Sequence, residues 1–289
     1  MRERWYDNYL KVYGKAYDGA AYVELAASIR EKIARLQSPH PLVTVSVIGY
    51  NEEKHLLACL WALSEMKTRY PIEIIGVDND SQDKTAEIFQ ATGVPYFVEK
   101  HHSCGSARLC GLRHARGKYH INIDSDTLYP PSYVDCMADV LERDPKVVGV
   151  NGTWGYFPTP HTPVWQLWMY EKMRNAYLRM QAIRRPELSV RGLVFAYRTK
   201  EALEVGIRTH IIRGEDGALA LGLKNYGKIL FLYNAEVRAI TGYGTIGMSL
   251  WRRFLVRVGQ IVGKFHLFFT SSKEYKDQES NLIDKNRNR

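Results

Sequence analysis

Between Leu42 and Ile123 the chain alternates short apolar runs with amphipathic ones, and this rhythm constrains the fold more than any other feature of its 289 residues. Val43–Ile48, Ile72–Val77 and Tyr119–Ile123 read as strands, with a shorter one around Tyr96–Val98. Glu52–Met66, Asp83–Gln90 and Ser103–Ala115 read as the helices between them. Strands joined through helices run parallel, because a parallel crossover needs a dozen or more residues. The expectation is an α/β domain with a mostly parallel central sheet and helices on both faces. In open sheets of this kind ligands bind beyond the carboxyl ends of the strands. The residues that follow each strand are therefore the first place to look for chemistry.

The strand at 119–123 ends in Asp124-Ser125-Asp126. Two hard oxygen donors there suit Mg²⁺ or Mn²⁺, which bind through few carboxylates and the oxygens of a diphosphate; a solvated acidic turn has the same sequence. The first strand runs into Gly49-Tyr50-Asn51-Glu52. Tyr50 offers a face to a nucleobase, and Asn51 equally fits a helix cap. The second strand ends in Asp78-Asn79-Asp80-Ser81, whose acceptors can meet a base or ribose hydroxyls. Ser81 and Asp83 also suit plain capping. Arg108, early in its helix, can pair with a phosphate or a base edge, or lie at the surface. Downstream, Arg213-Gly214-Glu215-Asp216-Gly217 opens a helix running to about Asn225. A carboxylate at a helix start favours the dipole, and it can also accept the proton of an attacking hydroxyl.

Taken in order, these pieces resemble an inverting family 2 glycosyltransferase over roughly residues 42–242. Gly49-Tyr50-Asn51-Glu52 is similar to that family's opening motif, and Asp78–Thr85 to its second nucleotide-binding turn. Ala107-Arg108-Leu109-Cys110-Gly111 resembles its Ala-Arg-Asn-x-Gly helix. Asp124-Ser125-Asp126 resembles its metal motif, and Gly214-Glu215-Asp216 its catalytic Glu-Asp pair. The resemblance implies the GT-A nucleotide-sugar-binding fold, Rossmann-like, with helical N- and C-terminal extensions. The expected organisation is a helical extension over 1–40, a GT-A domain over 41–245, a basic amphipathic helical region over 246–270 and a disordered tail over 271–289.

The implied reaction moves a sugar from a nucleotide-diphosphate sugar to an acceptor hydroxyl, on a glycan or a lipid-linked sugar, by metal-dependent inverting single displacement. Asp216 with Glu215 would be catalytic. Asp126 and Asp124 would hold Mg²⁺ or Mn²⁺. Tyr50, Glu52, Asp78, Asn79, Arg108 and Asp124 would hold the nucleotide sugar. Three departures matter: Ile48 where many members carry Pro, Asn79 in place of an Asp that meets the base, and no Gln-x-x-Arg-Trp motif, of which Trp251-Arg252-Arg253 is a partial echo. They leave the nucleotide open and argue against processive polymer synthesis. The alternative is a catalytically inactive sugar-binding or partner module of the same fold, against which the retained carboxylates argue.

A net charge of +9 points to an anionic partner. The acidic pairs and the lack of any recognised basic motif argue against nucleic acid. Four cysteines without a CxxC pair suggest reduced thiols, hence a cytoplasmic protein, with the inner face of the membrane as one setting. Met1–Tyr17 is charged and aromatic rather than a signal peptide, and no apolar run reaches membrane-spanning length. Helix 164–185, rich in Trp, Tyr, Met and Arg, reads either as an acceptor platform or as a core-facing apolar stripe with a solvated basic face. Trp251–Phe269 reads as a peripheral membrane contact or as packing under the sheet. His101 and His102 could line the donor site, and His161 or His266 could complete a metal shell.

Overall fold

The computed structural model describes residues 4–158, 164–211 and 214–242. In chain order the elements are α1 (Ala20–Leu36), β1 (Val43–Gly49), α2 (Leu56–Ser64), β2 (Ile72–Asp78), α3 (Thr85–Ala91), β3 (Tyr96–Val98), α4 (Cys104–His114) and β4 (Tyr119–Asp124). They continue with β5 (Thr127–Leu128), α5 (Tyr133–Arg143), β6 (Val147–Asn151), β7 (Thr153–Tyr156), α6 (Val164–Ala182), β8 (Phe195–Arg198) and α7 (Thr199–Val205). The last are α8 (Glu215–Leu223), β9 (Lys228–Phe231) and β10 (Arg238–Thr241).

The main sheet has the order β3-β2-β1-β4-β8-β6-β9. β1, β2, β3 and β4 are parallel, as the strand–helix rhythm predicts. β8 runs antiparallel to both β4 and β6, which brings its amino end beside the carboxyl end of β4. Register places Gly49 opposite Asp78 and Ile48 opposite Asp124, so the first three motifs open on one rim. A small second sheet, β5-β10-β7, follows the acidic turn, and Thr241 of β10 donates to the Asp126 carbonyl at 3.3 Å.

Strand β1 is buried along its length, and the pleat sends alternate side chains to opposite faces. Val43, Val45 and Val47 join the largest core cluster with Ile29 and Ile33 of α1 and Leu56, Leu60 and Leu63 of α2. Each fully buried side chain of this size contributes about 1.5–3 kcal/mol. Ser46 lies on the opposite face, under α4. A Cβ at Gly111 would overlap its hydroxyl, so only glycine lets α4 come this close. The segment before α1 is also docked: Tyr6 and Tyr9 pack with Ala58, Ala62, Leu128, Phe157 and Ile240.

Several boundaries differ from the sequence expectation. Helix α2 begins at Leu56 rather than Glu52. The backbone amides of Asn51, Glu52 and Glu53 are instead spent on Ser81 Oγ (2.9 Å), Thr85 Oγ1 (2.8 Å) and Asp83 Oδ2 (3.0 Å). Residues Gly192–Val194 form a 3₁₀ turn, so β8 starts at Phe195.

Helix α6 overturns the core-facing reading. Its buried residues are Leu167, Glu171, Arg174 and Leu178, while Trp165, Trp168, Met173 and Met180 are exposed. Both buried charges have partners: Glu171 pairs with Arg238 at 2.8 Å, and Arg174 lies 3.9 Å over the Trp154 ring and donates to the Trp154 carbonyl. Trp251–Phe269, His161, His266 and Arg213 lie outside the described residues. Among the described residues no helix is long and apolar enough to cross a membrane.

Candidate active site

The β1 and β2 loops are clipped together at the rim. Asn51 (φ 54°) and Asp80 (φ 62°) both sit in the left-handed region, which Asn and Asp tolerate better than other non-glycine residues. Asn51 Oδ1 accepts from the Gln82 amide at 2.8 Å, and Asp78 Oδ1 accepts from the Ser81 amide at 3.2 Å. Tyr50 stands out from this clip, 49% exposed, with its ring 5.1 Å from that of His102 in an edge contact. His102 Nε2 lies 3.5 Å from Asp80.

Asn79 is buried. Its Nδ2 donates to the carbonyls of Glu99 (2.7 Å) and His101 (2.8 Å). An Asp at this position has no protons to give, so the departure from the family pattern has a local cause. The amide nitrogen ties down the 99–101 loop.

Asp126 follows β4 and takes a 2.9 Å bond from Thr127 Oγ1. Burial, and then the charge of Glu52, raise its affinity for a proton. Glu52 itself is 2.7 Å from His55 Nδ1. Burial disfavours the charged form of His55, but the bond and charge of Glu52 outweigh it and its pKa is raised. The backbone of the acidic turn is held from two sides. Tyr13 donates its hydroxyl to the Asp126 carbonyl at 2.7 Å, and the Asp124 amide donates to Tyr129 Oη at 3.1 Å. Tyr129 in turn donates to the Leu193 carbonyl at 2.8 Å.

Arg108 is the centre of the arrangement. It is 4% exposed, and its guanidinium reaches Asp124 (3.1 Å), Asp216 (3.3 Å) and Glu215 (3.6 Å). The sequence suggested Arg108 as a nucleoside contact. The structure places it beneath the rim, where its charge is committed to three carboxylates. Burial alone would favour losing its proton, but those carboxylates hold it firmly charged.

One cation does not balance three buried anions. Burial pushes Asp124 up to about 6 against the opposing pull of Arg108, with Asp126 and Asp216 adding to the rise. Burial and then the charge of Asp216 raise Glu215 to about 7, so at this helix start desolvation outweighs the dipole. Gly192 closes the node from above. A Cβ there would overlap both the Arg108 guanidinium and an Asp216 carboxylate oxygen. Gly192, Tyr13 and Tyr129 had no sequence signal. Each acts through a backbone position or a hydroxyl brought in from a distant segment.

The surplus negative charge at Asp124 and Asp126 is what a divalent cation would relieve, so the donor set fits Mg²⁺ or Mn²⁺. Among the described residues no group of three or more His, Cys, Asp or Glu side chains forms a closed metal site. Few protein carboxylates completed by phosphate oxygens is the usual pattern for Mg²⁺.

The sequence profile described as Glycosyl transferase family 2 matches residues 44–206. The chain belongs to this family. Among curated glycosyltransferases, an N-acetylglucosaminyltransferase of Azorhizobium caulinodans is 32% identical over 157 residues, covering 46% of this chain and 39% of its own. An undecaprenyl-phosphate 4-deoxy-4-formamido-L-arabinose transferase of Pseudomonas aeruginosa is 29% identical over 122 residues, covering 38% and 36%. The match to an uncharacterized glycosyltransferase of Rickettsia prowazekii spans 33% of that protein, so the chain matches about a third of these relatives' lengths.

In three dimensions the glycosyltransferase fold extends further. A mannosyltransferase from Pyrobaculum calidifontis, in complex with GDP-Man and Mn²⁺, superposes with TM-score 0.56 at 21% identity, covering 90% of this chain and 75% of that one. Staphylococcus aureus TarS residues 1–349 superpose with TM-score 0.52 at 16% identity, covering 70% and 61%. At these identities the likeness establishes the fold, which is GT-A.

Proposed function

We propose that this chain transfers a sugar from a nucleotide-diphosphate donor to an acceptor hydroxyl by a single inverting displacement, with Mg²⁺ or Mn²⁺ held at Asp126 and Asp124. The observation that carries the reading is the convergence of Asp124, Glu215 and Asp216 on one buried Arg108. The two acidic motifs are far apart in sequence and meet at the rim where a donor would lie. The family match supports a transferase. The complex of the mannosyltransferase with GDP-Man and Mn²⁺, and that of TarS with UDP-GlcNAc, support a nucleotide sugar and a divalent cation.

In this reading Tyr50 stacks on the base, and Asp78 and the Asn79 side-chain oxygen accept from base or ribose. Glu52 adds negative charge beside Asp126. Bound cation would neutralise charge on the departing diphosphate. Asp216 takes the proton from the acceptor hydroxyl as it attacks the anomeric carbon from the face opposite the leaving group. Arg108 is a positioning residue that holds Asp216 and Asp124 in fixed relation. Glu215, whose affinity for a proton is raised by burial and by the charge of Asp216, shares Arg108 with it. The acceptor is a glycan or a lipid-linked sugar; the relative whose name carries undecaprenyl phosphate supports a lipid on the acceptor side.

The test is a thermal-shift panel of UDP-, GDP-, dTDP- and CMP-sugars with and without Mn²⁺. A ligand bound only by the folded state raises the apparent Tm by mass action. The expected result is a Mn²⁺-dependent shift with one nucleotide class, abolished in Asp126→Ala. Asp216→Asn should keep the shift and lose turnover. No shift with any donor would sink the proposal, as would parallel loss of shift and turnover in Asp216→Asn.

A further inference from the structure

Helix α6 has a mixed inward face, where Leu167 and Leu178 alternate with an ion-paired Glu171 and a stacked Arg174, and its outward face carries large apolar side chains. Trp165 is 59% exposed, Trp168 62%, Met173 40% and Met180 51%, and Ile183, directly after the helix, is 82% exposed. Steps of three, five, seven and three residues spread this set over about 140° of the circumference at 100° per residue, one broad side of the helix. Interleaved on the same side are the exposed cations Lys172, 5.6 Å from the Trp168 ring, and Arg179, whose guanidinium lies 4.0 Å over the Tyr233 ring. No exposed Asp or Glu lies within α6. The stripe is about 28 Å long at 1.5 Å per residue.

We propose that this stripe is a membrane-docking surface, and that its partner is the headgroup and upper acyl layer of an anionic lipid bilayer. Three features select that partner. The apolar residues include two tryptophans, whose rings suit the boundary between headgroup and acyl chain. The flanking charge is of one sign and opposite to that of an anionic leaflet. The apolar set forms a linear helix face rather than a pocket, the shape of a helix lying in the plane of an interface.

The position also suits a membrane-bound acceptor. Helix α6 runs through the turn Pro186–Leu188 to Gly192, which rests on Arg108 and Asp216. Only eight residues lie between Ile183 at the end of the stripe and Gly192. Docking through α6 therefore holds the catalytic rim near a lipid surface. This inference deepens the lipid-linked acceptor reading and rests on it, so donor binding is measured alongside and the two can fail separately.

The experiment uses the full chain and sedimentation with extruded vesicles of phosphatidylcholine, alone or mixed with phosphatidylglycerol. The chain should bind the mixed vesicles and bind phosphatidylcholine weakly. Trp165→Ser with Trp168→Ser should reduce binding to mixed vesicles by at least about tenfold while leaving Tm and the donor-induced thermal shift unchanged. Lys172→Gln should cost about fivefold on mixed vesicles only. Three outcomes would overturn the proposal. One is no binding to mixed vesicles by the wild-type chain. Another is undiminished binding by the double variant, which would move the contact elsewhere. The third is a fall in Tm or a change of oligomeric state in the double variant, which would mean that protein, from this chain or a second copy, covers the stripe.

Discussion

Replacing Arg108 with Met keeps most of its volume and removes the one cation shared by Asp124, Glu215 and Asp216. Removing one member of a buried ion pair costs about 3–5 kcal/mol because its partner is left uncompensated. Here three partners are left, and they escape by taking up protons. Asp124 and Glu215 already lie high, at about 6 and about 7, and without the cation both move higher. A carboxyl whose pKa is raised on folding binds more protons folded than unfolded, so its contribution is present at low pH and is lost as pH rises toward the folded pKa. In the wild type these two groups cost stability progressively from about pH 4 to pH 7. In Arg108→Met that loss continues above pH 7. The expected result is a Tm deficit of roughly 6–20 °C at pH 8, taking about 2–4 °C per kcal/mol for a chain of this size. It should shrink to a few degrees near pH 5. Thermal melts in chelator-containing buffer across that range provide the assay. A deficit independent of pH would mean that Arg108 acts by packing alone and would refute the electrostatic account.

Other perturbations probe the same geometry. Gly192→Ala forces a methyl into Arg108 and Asp216, and should cost about 1–3 kcal/mol in denaturant unfolding with a larger fall in kcat than in donor affinity. Asn79→Asp removes both donors to the Glu99 and His101 carbonyls. Hydrogen exchange should then rise across 99–102, with donor affinity weakened by an order of magnitude or more, about 1.4 kcal/mol. Tyr13→Phe deletes the bond to the Asp126 carbonyl, worth about 1 kcal/mol, and should weaken Mn²⁺ affinity about fivefold in calorimetric titration with donor present.

The parallel half of the sheet was legible because its signals are local. Val43–Gly49 and Ile72–Asp78 are apolar runs of strand length bounded by polar turns, and each neighbour arrives after one helix. The small sheet was not legible. β5, β7 and β10 are two to four residues long, and β10 pairs with segments more than eighty residues earlier. Periodicity has no purchase on so short a run. The site residues sorted the same way. Asp124, Asp126, Glu215 and Asp216 stand out by type and position, but their shared dependence on Arg108 is a tertiary fact. Helix α6 misled because composition reports how much apolar area a helix carries and not which side meets the core. Its buried side carries two charges, Glu171 and Arg174, beside Leu167 and Leu178.

The charge node at Arg108 also bears on the order in which the chain folds. Asp124 is 16 residues from Arg108 and arrives with β4, the strand that follows α4. Glu215 and Asp216 come from roughly a hundred residues further on, which adds on the order of 1.5 kcal/mol of loop-closure entropy. Until α8 docks, Arg108 has a single carboxylate partner and no reason to leave water. The non-local contact therefore belongs late on the folding route, after the parallel strands are in place. A chain that has assembled its nucleotide-facing half still lacks the acids proposed to do chemistry, so the site becomes competent only when the whole domain has closed.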